Sequence, residues 1–221
     1  LRPRIVYNGM LRNIGNIPHE VYLACSGGAD SMAVLDFLRK GKKKVTAVYF
    51  NHGTEHSENV HKGLSAYCEA QGIDFIAGTI QQPKKPEESW EEYWRNERYA
   101  FFNKLCVDII TAHNLDDVVE TYLFSAFHGK PKLINYRRGG IYRPFLLTRK
   151  MDMENWCKNK NVPFWEDKSN ADTKYARNRI RHNIIPEVLK INPGIHKTVS
   201  KMIKKSFDDE REYLERLKVA E

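Results

Sequence analysis

The rhythm of apolar segments constrains this chain more than any other feature. Runs at residues 21–25, 45–50, 73–80, 107–112 and 141–147 are short and nearly continuous, the look of buried parallel strands. Between them the apolar residues switch to helical spacing. Met32, Leu35 and Leu38 run to Gly41, Val60, Leu64, Tyr67 and Cys68 to Gly72, and Leu115, Val118, Val119, Tyr122 and Leu123 to Gly129. Ser89 with Glu92 is an S-x-x-E capping pattern that opens a helix carrying Trp90, Tyr93 and Trp94. Residues 150–160 continue the fifth strand as a helix. This alternation predicts an α/β fold: a parallel five-stranded sheet with helices on both faces, whose ligands bind beyond the carboxyl ends of the strands. After about residue 165 the pattern changes to polar loop and helix. Asn192-Pro193 reads as an N-cap and first-position proline opening a last amphipathic helix with Ile195, Val199, Met202 and Ile203. The expected division is a catalytic domain over residues 1–186 and a helical extension over 187–221.

Cysteine usage and charge narrow the class further. Cys25, Cys68, Cys106 and Cys157 are scattered without a CxxC or a close pair. That argues against a zinc centre, an iron–sulfur centre or a disulfide framework, and suits a reducing cytoplasm. No long uncharged apolar run is present, so no membrane span is expected. The first residues, Leu1-Arg2-Pro3-Arg4, form neither a secretory core nor an initiator Met, and the expectation is that the natural chain starts earlier. A net charge of +8 and a pI near 9.2 favour polyanionic partners, nucleic acid first and a membrane surface second. Basic residues collect outside the apolar segments, at Lys42-Lys43-Lys44, at Arg137-Arg138 and from Lys174 to Arg181.

The chemistry concentrates where strands meet helices. Ser26-Gly27-Gly28-Ala29-Asp30-Ser31 stands between the first strand and its helix. Two glycines allow a tight turn whose N–H groups converge at the helix N-terminus as an anion nest. Ser26 and Ser31 add hydroxyls, and Asp30 can hold the Mg2+ that accompanies a polyphosphate. No Gly-Lys-Ser/Thr follows, so this is not a P-loop. The second strand ends in Asn51-His52-Gly53, beside that loop, where Asn51 and His52 would approach a base or ribose. The fourth strand leads into His113, Asp117 and Glu120, spaced along one helix face at the ligand edge. An acidic first turn complements a helix dipole, but that explains only one carboxylate; a zinc site here would lack a cysteine partner, so with the glycine loop beside it magnesium binding or proton transfer is the expected role. Downstream, Arg143 precedes Pro144, and Arg177, Arg179 and Arg181 lie on a short helix whose forks suit phosphate of ATP or RNA.

The loop S-G-G-A-D-S resembles the PP-loop of the ATP pyrophosphatases, which are Rossmann-like. Together with N-H-G, R-Y-A-F-F from Arg98, A-H-N-L-D-D-V-V-E-T, R-P-F-L, D-K-S-N-A-D and R-N-R-I-R-x-x-I-I-P, it resembles the tRNA(Ile)-lysidine synthase family, in order and over roughly residues 21–186. The resemblance implies an enzyme that binds ATP, lysine and a tRNA(Ile) with a CAU anticodon. It adenylates C2 of the wobble cytidine, and the lysine ε-amine then displaces AMP. It further implies that residues 26–31, with Asn51 and His52, bind ATP, and that Asp30 holds magnesium. His113, Asp117 and Glu120 would orient the lysine or accept its proton, while Arg98, Arg143 and Arg179 would neutralise developing negative charge. Lys174, Arg177 and Arg181 would meet tRNA. It leaves room for a homodimer.

This chain departs from the family in places. Thr54 and Glu55 stand where the family usually continues Leu-Arg. The stretch from Ala126 to Lys132 replaces a glycine-rich basic segment, and the family's further tRNA-gripping domains are represented by only a first helix or so. Rival readings are another PP-loop ligase with an altered substrate and a catalytically silent tRNA- or nucleotide-binding module. Thiolases generally need paired cysteines, amide-forming relatives lack the R-N-x-I-R block, and the intact Asp30, Asp117 and Glu120 argue against decay.

Overall fold

A computed structural model describes residues 6–8, 11–167 and 174–219. The strands are β1 (Val6–Asn8), β2 (Leu11–Asn13), β3 (Glu20–Ala24), β4 (Lys44–Asn51), β5 (Asp74–Thr79), β6 (Ile109–Thr111), β7 (Arg137–Arg138) and β8 (Ile141–Tyr142). The helices are α1 (Ala29–Lys40), α2 (Glu55–Gln71), α3 (Trp90–Lys104), α4 (Leu115–Phe127), α5 (Lys150–Lys160), α6 (Ala176–Arg179), α7 (Ile185–Ile191) and α8 (Ile195–Val219), with a π-turn over Ile180–Ile184 joining α6 to α7.

Period-2 alternation decides which way each strand side chain points. In β3, Val21 and Leu23, with Cys25 just beyond, face a core built with Met32, Leu35 and Leu38 of α1, Leu64 of α2 and Met153 of α5. Tyr22 and Ala24 face the opposite side, where Val48, Ile109 and Ile141 meet Phe102 of α3. A sheet buried on both faces follows. The five expected strands form it in the order β5-β4-β3-β6-β8, all parallel. The structure adds a sixth, antiparallel edge strand, β7, where Arg137 pairs Tyr142 and Arg138 pairs Ile141. Two exposed arginines suit an edge, because charge there discourages pairing with another chain. The fifth strand is shorter than its apolar run: it ends at Tyr142, and Pro144 lies in the turn that follows.

The last helices do not stand apart. Ile195, Val199 and Ile203 of α8 share a cluster with Leu115, Val118 and Val119 of α4, Leu146 and Leu147, and Ile180 and Ile185. His196 reaches Asp116 on α4 at 3.0 Å, and Asp116 also accepts from Arg149 and from the backbone N–H of Lys150. Asn192 is not the N-cap of α8. It ends α7 and accepts from the N–H of Gly194, so α8 begins at Ile195. All four cysteines are free thiols, and no helix among the described residues is long and apolar enough to cross a membrane.

Candidate active site

The carboxyl ends of β3, β4 and β6 form one edge, and each hands the chain to a loop that carries site residues. After β3 the backbone turns at Gly27, whose φ of +80° suits glycine. A Cβ there would stand 2.3 Å from a Val60 methyl and 3.3 Å from the Trp165 ring, so the position admits no side chain. Trp165 donates its backbone N–H to the Gly27 carbonyl at 2.9 Å and so holds the turn from outside. The Ser31 hydroxyl donates to the Gly28 carbonyl at 3.0 Å and lies 3.4 Å from the Ser26 hydroxyl. Gly28 precedes α1 with no side-chain cap, so the N–H groups of Ala29, Asp30 and Ser31 remain for a ligand.

Asp30 lies in that first turn with its Oδ1 buried and without a hydrogen-bond partner among the described residues. Burial, and then the charge of Asp117, push its carboxyl up to about 7; Lys150 and Arg181 pull the other way. Burial also pushes Asp117 up, against the Asn114 N–H it accepts, Arg181 and Lys150. A desolvated carboxyl with an orphaned oxygen beside a second carboxyl lacks positive charge. The two fit a divalent cation whose remaining ligands are phosphate oxygens and water, the usual manner of magnesium. Among the described residues no three His, Cys, Asp or Glu converge as a metal cage.

Asp117 and Asn114 form a reciprocal capping box at the start of α4, each accepting from the other's N–H at 3.0 Å. Glu120, one turn on, is buried at 2 % exposure and takes two arginine forks from the far end of the chain. Arg177 reaches its Oε1 at 3.0 Å, and Arg181 reaches its Oε2 at 2.7 Å and Asp117 at 3.4 Å. The π-turn begins one residue before Arg181, at a place where the wider helix re-aims side chains. Arg177 and Arg181, expected to meet tRNA, both close on the carboxylates, although Arg177 keeps 44 % of its side chain exposed and Arg179 and Lys174 are exposed as well.

The other half of the site is cationic. His113 accepts from or donates to the Thr111 hydroxyl at 2.7 Å. Burial and the charges of Arg143, Arg98, Arg177 and Arg95 hold its imidazole down at about 4. Arg143 is 7 % exposed and donates to the Asn135 carbonyl, while burial lowers Arg98. Among the described residues no carboxylate pairs with Arg98 or Arg143. Charge of that kind left uncompensated suits an anion.

At the end of β4 the expected Asn51 side chain does not reach outward. Its amide donates to Glu58 at 2.8 Å and accepts from Gly53 N–H and the Ser57 hydroxyl, so it braces the start of α2. Thr54, one of the departures noted above, is the N-cap of α2 in a reciprocal box with Ser57. His52 is kept neutral near 4 by burial and Arg98, and its buried Nδ1 has no partner among the described residues. Residues 168–172 of the D-K-S-N-A-D block lie outside the described residues. Sequence reasoning missed Trp165, Lys150 and Glu154, which act on residues 26–31 from distant segments with no local signature.

The edge of a doubly covered parallel sheet, a glycine turn that leaves helix N–H groups open, and paired carboxyls beside them define a nucleotide-binding α/β domain. The PP-loop domain family matches residues 6–188, and the chain belongs to that family. It is similar to the tRNA(Ile)-lysidine synthase of Francisella tularensis subsp. holarctica, 31% identical over 199 residues that cover 83% of this chain and 50% of that protein. It is similar also to the tRNA(Ile)-lysidine synthase of Legionella pneumophila (strain Paris), 34% identical over 197 residues covering 82% of this chain and 45% of that one. The chain thus spans about half the length of the curated relatives it matches. Among solved structures, an NH3-dependent NAD synthetase from Campylobacter jejuni aligns with a TM-score of 0.48 at 15% identity, over 87% of each chain.

Proposed function

We propose that this chain carries the catalytic centre of a tRNA-modifying ligase that uses ATP to join lysine to the wobble cytidine of tRNA(Ile), releasing AMP and pyrophosphate. The observation that carries the reading is the pairing of unclaimed N–H groups at the start of α1 with the orphaned Asp30 carboxyl beside Asp117. The cytidine O2 attacks the α-phosphorus, an O–P bond forms and pyrophosphate leaves. The lysine ε-amine then attacks C2, the C2–O2 bond breaks, and AMP departs with that oxygen.

Each half of the site suits one part of this sequence. The N–H groups of residues 29–31 and the hydroxyls of Ser26 and Ser31 bind phosphate. Asp30, with Asp117, would hold a magnesium ion, which when bound supplies positive charge to the phosphates. The lysine ammonium approaches Asp117 and gives up its proton to water before it attacks, while Glu120 fixes Arg177 and Arg181 at the same edge. His113, held near 4, is too weak a base to take that proton at neutral pH and instead offers a neutral hydrogen bond. Arg98 and Arg143 face charge developing on the cytidine and its leaving oxygen. Arg179 on α6 and Lys174 just before it, both exposed, take RNA phosphate, with the exposed part of Arg177 beside them. The catalytic unit runs on into α7, and the helical extension is α8, which packs back on α4, in a chain whose free thiols suit the cytoplasm.

The products of ATP test this reading. With magnesium, lysine and total tRNA the expected products are AMP and pyrophosphate, and Asp30→Asn is expected to lower the rate at least a hundredfold while leaving the fold intact. ADP as the main product would overturn the assignment, and undiminished activity of Asp30→Asn would reduce Asp30 to an ordinary first-turn acid.

A further inference from the structure

An aromatic ladder leads from open solvent to the site edge, and nothing in the catalytic reading uses it. Trp90, at the first position of α3, is 59 % exposed. Its ring centroid lies 5.6 Å from that of Trp94, which lies 5.6 Å from His52, which in turn meets Phe50 at 5.0 Å. Trp90, Trp94 and Arg98 follow at four-residue intervals along α3, so the rings and the half-buried guanidinium share one stripe. Lys84 places its ammonium 5.4 Å from the Trp90 ring and the charge of Arg98 bears on His52, while the Arg95 guanidinium lies 5.6 Å from the Tyr99 ring. Most acids of this segment are engaged elsewhere, and Glu87 is exposed. Glu88 accepts from Asn96, Glu97 from the N–H groups of Gln81 and Gln82, and Glu91 and Glu92 complement the start of the helix dipole.

Large apolar rings left in water call for an explanation, and rings interleaved with cations are how sequence-tolerant binding of single strands is built. A nucleobase offers a flat face to tryptophan and carries a phosphate for the neighbouring cation. The ladder also ends at His52, whose buried Nδ1 lacks a partner among the described residues, so it is continuous with the site. We propose that Trp90 and Trp94 form a stacking platform for an unpaired nucleobase of the RNA substrate, next to the nucleotide that enters the site, with Lys84 toward its phosphate. The proposal rests on the reading of RNA as substrate.

The test is the affinity of the whole chain for an anticodon stem-loop RNA, measured across a salt series. Trp90→Ala is expected to weaken binding roughly tenfold or more, Trp90→Phe to restore most of it, and Trp94→Ala to behave like Trp90→Ala. Stacking releases no counterions, so the log–log salt slope stays as in the wild type, and the Michaelis constant for ATP does not move. Alanine variants that bind RNA as well as the wild type would overturn the platform. So would a loss that appears in the ATP constant instead, which would assign the rings to the adenine of ATP. Wild-type protein that binds RNA through Trp90 yet forms no AMP would leave the platform standing and bring down the ligase reading alone.

Discussion

His52 and His113 show how a single residue's surroundings set its chemistry. Both are aromatic bases placed among arginines: His52 faces Arg98, and His113 faces Arg143, Arg98, Arg177 and Arg95. Their imidazoles hold at about 4 in the folded protein, below the ordinary 6.5 they regain on unfolding. Between those values the unfolded chain binds more protons, so stability rises with pH across that window and is lost as pH falls from 6.5 through 4. Partial solvent access reduces the full linkage energy to roughly 1–2 kcal/mol per residue, or about 2–8 °C in Tm. His113→Asn is expected to flatten the acid side of the Tm profile by about that amount. A wild-type Tm that stays constant from pH 6.5 to pH 4, with the variant superimposed on it, would show that His113 does not sit among cations as described.

At the scale of elements, the turn before α1 is a tight joint. Gly27 has positive φ and no room for a Cβ, and its carbonyl is clamped by Trp165. Gly27→Ala is expected to destabilise by at least about 1–2 kcal/mol from the backbone conformation alone, and by more from the collision with Val60. Adding Val60→Ala to that variant relieves the collision but not the backbone strain, and itself opens a cavity. Denaturant unfolding of the two single variants and the pair measures the coupling, and a Gly27→Ala protein as stable as wild type would contradict the geometry. This joint was legible in the sequence, because a hexapeptide between a strand and a helix encodes a local conformation. So were the five parallel strands and helices α1 to α5, each written in its own periodicity. Pairings across the chain were not legible. The hold of Arg177 and Arg181 on Glu120 spans about sixty residues, and the brace from Asn51 to Glu58 depends on how α2 begins. β7 escaped because two charged residues make no apolar pattern, and the start of α8 was misplaced because Asn192-Pro193 serves both as an ending and as a beginning.

As a whole molecule, the chain sets a basic exterior of net charge +8 around a site divided by sign. Along the carboxyl edge of a single sheet, the carboxyls of Asp30, Asp117 and Glu120 gather on one side, where Arg177 and Arg181 close on the last two. Arg98 and Arg143 stand on the other without a carboxylate among the described residues. A substrate that brings a polyphosphate with its metal, an ammonium and a polyanionic strand matches that division better than any one of the three alone. The α4–α8 cluster ties the helical extension to the same edge. On the proposed function these parts act together to join lysine to RNA, and incubation of the chain with labelled lysine, ATP, magnesium and total tRNA, followed by nuclease digestion, tests it. The expected result is label in a single modified nucleoside derived from cytidine, formed in equal amount with AMP. AMP formed without label in RNA, or label that a mild alkaline wash releases as an aminoacyl ester, would contradict it.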